Sequence, residues 1–327
     1  MDKYITTFPH QLTEALGLGE KIKSLKYPNP IENIILSGMG GSGIGGAIVK
    51  EYLQQTLLIP VTINNDYNLP AFAGRTTLVI CSSYSGETVE ALSVLQEALK
   101  KKCKIICISS GGTMLEKAVQ GKLPFIKIPG GMPPRTCVGY SIVFQLFFLM
   151  KAGLIKKTFI KETEIASQAL FVKHGSIREK AKNLAKKIQD KIPVIYTSAS
   201  LQSTAIRWKQ QLNENPEVHC FVNVLPEMNH NELVAYRDEN KDIAVIYLRS
   251  KIDAKAIQRR FDLSKKLIAQ KVDAVHEIYA EGESMLERIF YLIHFGDWVS
   301  YYLAEFRKVD AVQITSLEWL KKQLSKK

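Results

Sequence analysis

Residues 33–46 read Asn-Ile-Ile-Leu-Ser-Gly-Met-Gly-Gly-Ser-Gly-Ile-Gly-Gly, an aliphatic run that empties into a glycine-rich turn. The run predicts a buried parallel strand over Asn33 to Ser37. The glycines after it permit positive φ and let backbone approach a ligand closely. Their amides face the start of the next helix, where N–H groups and the macrodipole together favour an anion. The stretch therefore predicts an α/β domain with an anion site at the C-terminal end of its first strand.

Working outward, short β-branched runs alternate with longer amphipathic stretches, the pattern of a parallel sheet covered by helices. Strands are expected at Asn33 to Ser37, Val61 to Asn64, Thr77 to Ser82, Lys104 to Ser109 and Pro124 to Ile128, with helices near Gly45 to Gln54, Thr88 to Lys101 and Thr113 to Gln120. An apolar helix, Gly139 to Ala152, closes this half. The chain turns charged and helical from Thr158 to about Lys191, and the alternation then restarts. Strands are expected at Pro193 to Ser198, His219 to Val222, Asp242 to Tyr247 and Ala274 to Ile278. The helices between and after them are Ser203 to Asn213, Ala254 to Gln270, Glu283 to Phe306 and Ser316 to Leu324. The reading is two α/β domains, 1–154 and 155–327, the second repeating the first in outline.

A second anion loop, Ser82-Ser83-Tyr84-Ser85-Gly86-Glu87-Thr88, follows the third strand. Hydroxyls at Ser83, Ser85 and Thr88, with Ser42 across the sheet, supply short donors that suit one tetrahedral phosphate. The plainer reading is that Ser85 and Thr88 cap the following helix. The spacing Gly38, Gly40, Gly43 also satisfies the dinucleotide fingerprint, with Asp66 as the ribose-binding acid, so an NAD-dependent oxidoreductase is an alternative. A dinucleotide fold does not require the serine loop.

Composition narrows the class. With 327 residues, 46% hydrophobic and 23% charged, the chain can build two ordinary cores. The start, MDKYITTFPHQLTEALG, has no basic stretch followed by an apolar segment, which predicts no secretory signal and a cytoplasmic protein. The most apolar segment, Ser141 to Ile155, is interrupted by Gln145 and Lys151 and falls short of the roughly 20 apolar residues of a membrane span. Cys81, Cys103, Cys107, Cys137 and Cys220 contain no CxxC pair, so neither a disulfide framework nor a metal site is expected. The net charge of +12 is spread over pairs such as Lys156-Lys157, Lys265-Lys266 and Lys321-Lys322, without interleaved stacking aromatics. No nucleic-acid partner is expected.

Ser37 to Gly43 (SGMGGSG) with Ser83 to Thr88 (SYSGET) resembles the sugar isomerase (SIS) domain of phosphosugar-binding proteins. Pro133-Pro134-Arg135, Asn213-Glu214-Asn215, Leu225 to Asn231 (LPEMNHN) and Leu320-Lys321 extend the likeness to the bifunctional phosphoglucose/phosphomannose isomerase family. That resemblance implies two tandem SIS-type domains, each a parallel sheet of about five strands flanked by helices. It also implies no cofactor, a small-molecule sugar phosphate as partner, and a homodimer whose active site lies between domains and borrows His230 across the subunit interface. Carried over by position, Gly41, Ser42, Ser83, Ser85 and Thr88 hold phosphate. Glu214 is the base, Arg135 the arginine beside it, His230 the ring-opening histidine and Lys321 its assistant.

The implied reaction moves a proton between C2 and C1 of a phosphorylated aldohexose through an enediol, giving fructose 6-phosphate. One carboxylate able to take and return a proton suffices, so no metal is needed. A fixed guanidinium stabilises the enediolate more than the ground state. A histidine suits the prior ring opening. Members that also take mannose 6-phosphate carry a threonine seven residues before the lysine, where this chain has Ile314 followed by Thr315, and their Asp-Pro is Asp310-Ala311 here. A non-catalytic phosphosugar sensor is the other alternative, since serine loops hold ligand whether or not chemistry follows.

Overall fold

The computed structural model describes residues 1–324. Its elements form two compact units. The helices α1 (Asp2–Thr6) and α2 (Phe8–Glu20), which carry no strand signal, open the chain. The first unit, Thr6–Val172 with Gly282–Glu287, contains β1 (Asn33–Ser37), α3 (Gly40–Leu53), β2 (Val61–Asn64), β3 (Thr77–Ser82) and α4 (Val89–Lys100). It continues through β4 (Lys104–Ser109), α5 (Gly112–Gln120), β5 (Phe125–Lys127), α6 (Val138–Lys151) and α7 (Thr158–Val172). The five strands are all parallel, in the order β2-β1-β3-β4-β5.

That order follows from connectivity and burial. Right-handed crossovers place β2 on one side of β1 and β3 on the other, so the winding reverses between β1 and β3. Strands β3 and β4 are buried at every position, as strands covered on both faces must be. On one face Ile35, Val79, Cys81, Ile105 and Cys107 pack against Val94, Leu95 and Ala98 of α4 and Met114 and Ala118 of α5. The apolar segment of the sequence is α6, whose residues from Val138 to Leu149 are all buried. Each valine, isoleucine, leucine or phenylalanine among them contributes about 1.5–3 kcal/mol by leaving water. Phe147 of α6 meets Phe159 of α7 edge-on at 5.1 Å, which places α7 in this unit.

The glycine turn differs from expectation in one respect. The helix begins at Gly40 rather than near Gly45, so the glycines are its first turn and not only the approach to it.

The second unit comprises Met1–Ile5, Lys173–Glu281 and the chain from Arg288 onward. It holds α8 (His174–Ile188), β6 (Ile192–Ser198), α9 (Gln202–Glu214), β7 (Phe221–Leu225), β8 (Ile243–Arg249), α10 (Lys255–Ile268), β9 (Val275–Tyr279), most of α11 (Met285–Arg307) and α12 (Thr315–Leu324). Its four parallel strands run β7-β6-β8-β9, so this sheet has one strand fewer than the first. The charged helical stretch after Thr158 is two helices that part at Lys173. Strand β7 starts two residues later than its sequence suggests, because Leu225 is needed in the core with Tyr196, Met228 and Tyr247.

Helix α9 is bolted to α11 by buried polar contacts. Asp297 accepts from Arg207 Nη2 at 3.1 and 3.2 Å and from Gln211 Nε2 at 2.9 Å. Trp208 donates to the Leu292 carbonyl at 2.8 Å and stacks on Phe295. Among the described residues no disulfide forms, and no helix is long and apolar enough to cross a membrane.

Candidate functional site

In open parallel sheets ligands bind beyond the C-terminal strand ends, at the point where the winding reverses. In the first unit that point is the crevice between β1 and β3, whose ends pair as Ser37 with Cys81. The glycine turn bearing Gly41 and Ser42 leaves β1 there, and the serine loop bearing Ser83, Ser85 and Thr88 leaves β3 beside it.

The serine loop is held in one shape by its own hydrogen bonds. The Gly86 amide donates to Ser83 Oγ at 3.1 Å, the Glu87 amide to Ser85 Oγ at 3.2 Å, and the Ser83 amide to the Ile108 carbonyl at 3.0 Å. Thr88 is the N-cap residue of α4, yet its side chain makes no capping bond. Its Oγ1 instead lies 2.9 Å from Ser83 Oγ. The capping alternative therefore fails for Thr88, and two hydroxyls stand together, each of a type that donates a hydrogen bond to an oxyanion.

Arg135 belongs to the same crevice through its backbone. It is the middle residue of the 3₁₀ turn Pro134–Thr136 and is buried, so it is not a surface ion-pair partner. A Cβ at Gly41 would lie 2.9 Å from the Pro134 carbonyl oxygen and 3.4 Å from Arg135 Cα. Only glycine lets the two segments meet. Gln11 fixes the far side of the turn, donating to the Thr136 carbonyl at 2.8 Å and accepting from the Gly139 amide at 2.9 Å.

Two further residues shape this crevice, and the sequence reading gave them no role. Tyr84 donates from its hydroxyl to the Pro129 carbonyl at 3.1 Å and accepts from the Met132 amide at 3.0 Å, tying the serine loop to the segment ahead of Arg135. Glu87 accepts from the amide of Thr113 at 2.7 Å and so satisfies the start of α5. Their place inside the SYSGET motif was the available signal. Asp66 accepts from the Tyr67 amide at 2.6 Å, a local turn contact.

In the second unit Glu214 is the last residue of α9 and is half-buried. Its position is set by the Arg207 and Gln211 contacts to Asp297 and by Asn215, which donates to Ser300 Oγ at 2.9 Å. His230 is exposed and ends the 3₁₀ turn Glu227–His230 that follows β7. Since α9 runs antiparallel to the strands, Glu214 lies at the end where β7 begins and His230 at the end where it stops. Five strand residues separate those ends by about 17 Å. One unit therefore does not bring Glu214 and His230 together. Lys321 lies on α12, a helix with no buried residue.

Among the described residues no group of three or more His, Cys, Asp or Glu side chains is placed to hold a metal ion.

Residues 177–324 match the family described as bacterial phospho-glucose isomerase C-terminal SIS domain. Over 335 aligned residues the chain is 36% identical to a bifunctional phosphoglucose/phosphomannose isomerase from Caldicellulosiruptor bescii, covering 99% of each chain. It is 38% identical to one from Thermoplasma acidophilum, covering 96% of this chain and 99% of that one. Among solved structures, the C-terminal domain of glucosamine-fructose-6-phosphate aminotransferase from Francisella tularensis superposes with a TM-score of 0.74 over 95% of this chain and 97% of its own, at 14% identity, a likeness of fold alone. With two parallel SIS-type sheets, paired anion loops at a switch point and near full-length identity of this order, the chain belongs to the bifunctional phosphoglucose/phosphomannose isomerase family.

Proposed function

We infer that the chain is an aldose–ketose isomerase that interconverts glucose 6-phosphate and fructose 6-phosphate, and that mannose 6-phosphate is a second aldose substrate. The observation that carries this reading is the crevice at the β1/β3 switch point, where Ser83 and Thr88 hydroxyls lie 2.9 Å apart beside the segment bearing Arg135. It suits the anionic end of a sugar phosphate. Glucose and mannose 6-phosphates differ only in configuration at C2, so both give one enediol, and the face that receives the returning proton decides the product.

In this reading Ser42, Ser83, Ser85 and Thr88 hold the phosphate, with the Gly41 turn. His230 gives a proton to the ring oxygen as the C1–O5 bond breaks, while Lys321 takes the proton of the anomeric hydroxyl and the C1 carbonyl forms. Glu214 then moves the proton between C2 and C1, and Arg135 stabilises the enediolate oxygen as charge develops. The separation of Glu214 and His230 along β7 supports a homodimer in which each active site takes His230 from the neighbouring subunit. The substrate's charge keeps it from crossing membranes unaided, so we place the enzyme in the cytoplasm.

The test is product formation from each aldose with a chelator present, in the wild type and in Glu214→Gln. The expected result is chelator-insensitive fructose 6-phosphate production, with turnover in the variant reduced about 10²–10⁴-fold. Unchanged turnover in Glu214→Gln removes the proposed base, and no turnover by the wild type leaves a phosphosugar-binding protein.

A further inference from the structure

His230 sits in the connection from β7 (Phe221–Leu225) to β8 (Ile243–Arg249), at the end of a 3₁₀ turn whose Asn229 accepts from Arg260 Nη1 of α10 at 3.3 Å. Two residues on, Glu232 is held from below by the sheet. Its Oε1 accepts from Tyr196 Oη at 2.6 Å and its Oε2 from Asn223 Nδ2 at 2.5 Å. Tyr196 and Asn223 are register partners on the adjacent strands β6 and β7, so ladder spacing itself sets the two donors side by side for one carboxylate. Asn223 cannot turn its amide over freely, because its Oδ1 already accepts from the Val224 amide at 2.8 Å. Tyr196 Oη also lies 2.6 Å from Tyr236 Oη.

The near side of the turn is held as well. Met228 is fully buried between these tyrosines and the core, and Asn231 accepts from the Glu232 amide at 2.6 Å while donating to Glu227 at 2.8 Å. His230 is thus bracketed by a buried apolar side chain two residues before it and a doubly held carboxylate two residues after it.

We propose that Glu232, clamped by the register pair Tyr196 and Asn223, is the positioning residue that aims the His230 turn at the ring-opening step. The inference rests on the reading of His230 given above. Glu232 acts by geometry and performs no proton transfer. Glutamine in its place can still accept from Asn223 through its oxygen and donate to Tyr196 through its nitrogen, with the tyrosine hydroxyl then donating to Tyr236. Alanine can do neither. A cavity of about 630 Å³, lined in part by Glu232, Ala235 and Tyr236, borders the clamp.

The experiment measures kcat and KM for glucose 6-phosphate in Glu232→Ala, Glu232→Gln, Tyr196→Phe and His230→Ala, and in the double variant Glu232→Ala/His230→Ala, with circular dichroism and Tm as the check on folding. Displacing a reacting group by about an ångström can cost up to about 100-fold, so Glu232→Ala is expected to lower kcat by about 30-fold with KM within about twofold of wild type. Glu232→Gln is expected to remain within about threefold, Tyr196→Phe to fall between, and the double variant to be no slower than His230→Ala alone. Loss in Glu232→Gln equal to that in Glu232→Ala overturns positioning in favour of a chemical role for the carboxylate. A double variant in which the two losses multiply overturns it in favour of general support of the fold, and an unimpaired Glu232→Ala overturns it outright. Full activity in His230→Ala defeats the underlying reading of His230, a pattern distinct from the others.

Discussion

Acidification should weaken the second unit through one histidine. His294 lies on α11 with no exposed surface, and Trp298 Nε1 donates to its Nε2 at 3.2 Å. An accepting Nε2 requires the neutral ring. Burial, with the His174 ring 6.1 Å away adding repulsion, pushes the His294 pKa down to about 3. In the unfolded chain the imidazole titrates near 6.5. The folded state thus refuses a proton that the unfolded state takes up, so the stability contributed by neutral His294 is whole above about pH 6.5 and declines as pH falls toward 3. The decline is about 1.4 kcal/mol per pH unit, or about 2 kcal/mol by pH 5.

His174 and His276 are depressed in the same direction, mainly by burial, with Arg178 and Lys187 respectively adding repulsion. The wild-type slope alone therefore does not isolate His294. Comparison with His294→Gln does, because glutamine can accept from Trp298 and does not titrate. Urea unfolding followed by tryptophan fluorescence reports on this unit, since Trp208, Trp298 and Trp319 all lie in it and the chain has three tryptophans. Whatever constant difference the substitution makes at pH 7, the wild type should lose about 2 kcal/mol relative to the variant by pH 5. A difference that stays the same at both pH values would show that His294 is not held neutral, and would refute the argument.

Thr88→Ala should raise KM for the sugar phosphate several-fold while moving Tm little, because the hydroxyl faces Ser83 and caps nothing; a large fall in Tm with unchanged KM would restore the capping role. Gly86→Ala should abolish saturable binding, measured by calorimetry with glucose 6-phosphate. Its φ is +73° and the new methyl would come 1.9 Å from the Gly111 carbonyl oxygen, so retained affinity would show that the serine loop does not set the site. Asp297→Ala should destabilise by about 3–5 kcal/mol in urea unfolding, since it takes a buried carboxylate away from the Arg207 guanidinium and the Gln211 amide. A cost under about 1 kcal/mol would mean that water enters and replaces the carboxylate.

The sheet strands were legible because burial on both faces demands continuous aliphatic runs. Asn33–Ser37, Thr77–Ser82 and Lys104–Ser109 appear where those runs begin and end. Phe221–Leu225 was less so: its polar Asn223 serves Glu232, a partner nine residues away that no local period reveals. The N-terminal helices escaped as well, since Gln11 is justified only by contacts to Thr136 and Gly139, more than a hundred residues on.

Chemistry divides along the same line. The serine and glycine loops stood out by residue type, because an anion needs short donors and glycine whatever the fold, whereas Glu214, Arg135, His230 and Lys321 were singled out only by the resemblance of their motifs to the isomerase family. Sequence alone also fixed the alternation that makes the sheets parallel. Only the tertiary structure decided that Thr88 turns to Ser83 and not to its own helix, that Gly41 must be bare for the Arg135 turn to approach, and that Glu214 and His230 stand at opposite ends of β7. Each of these depends on where distant backbone segments meet, and such meetings are set by packing in three dimensions, which leaves no periodic trace along the chain.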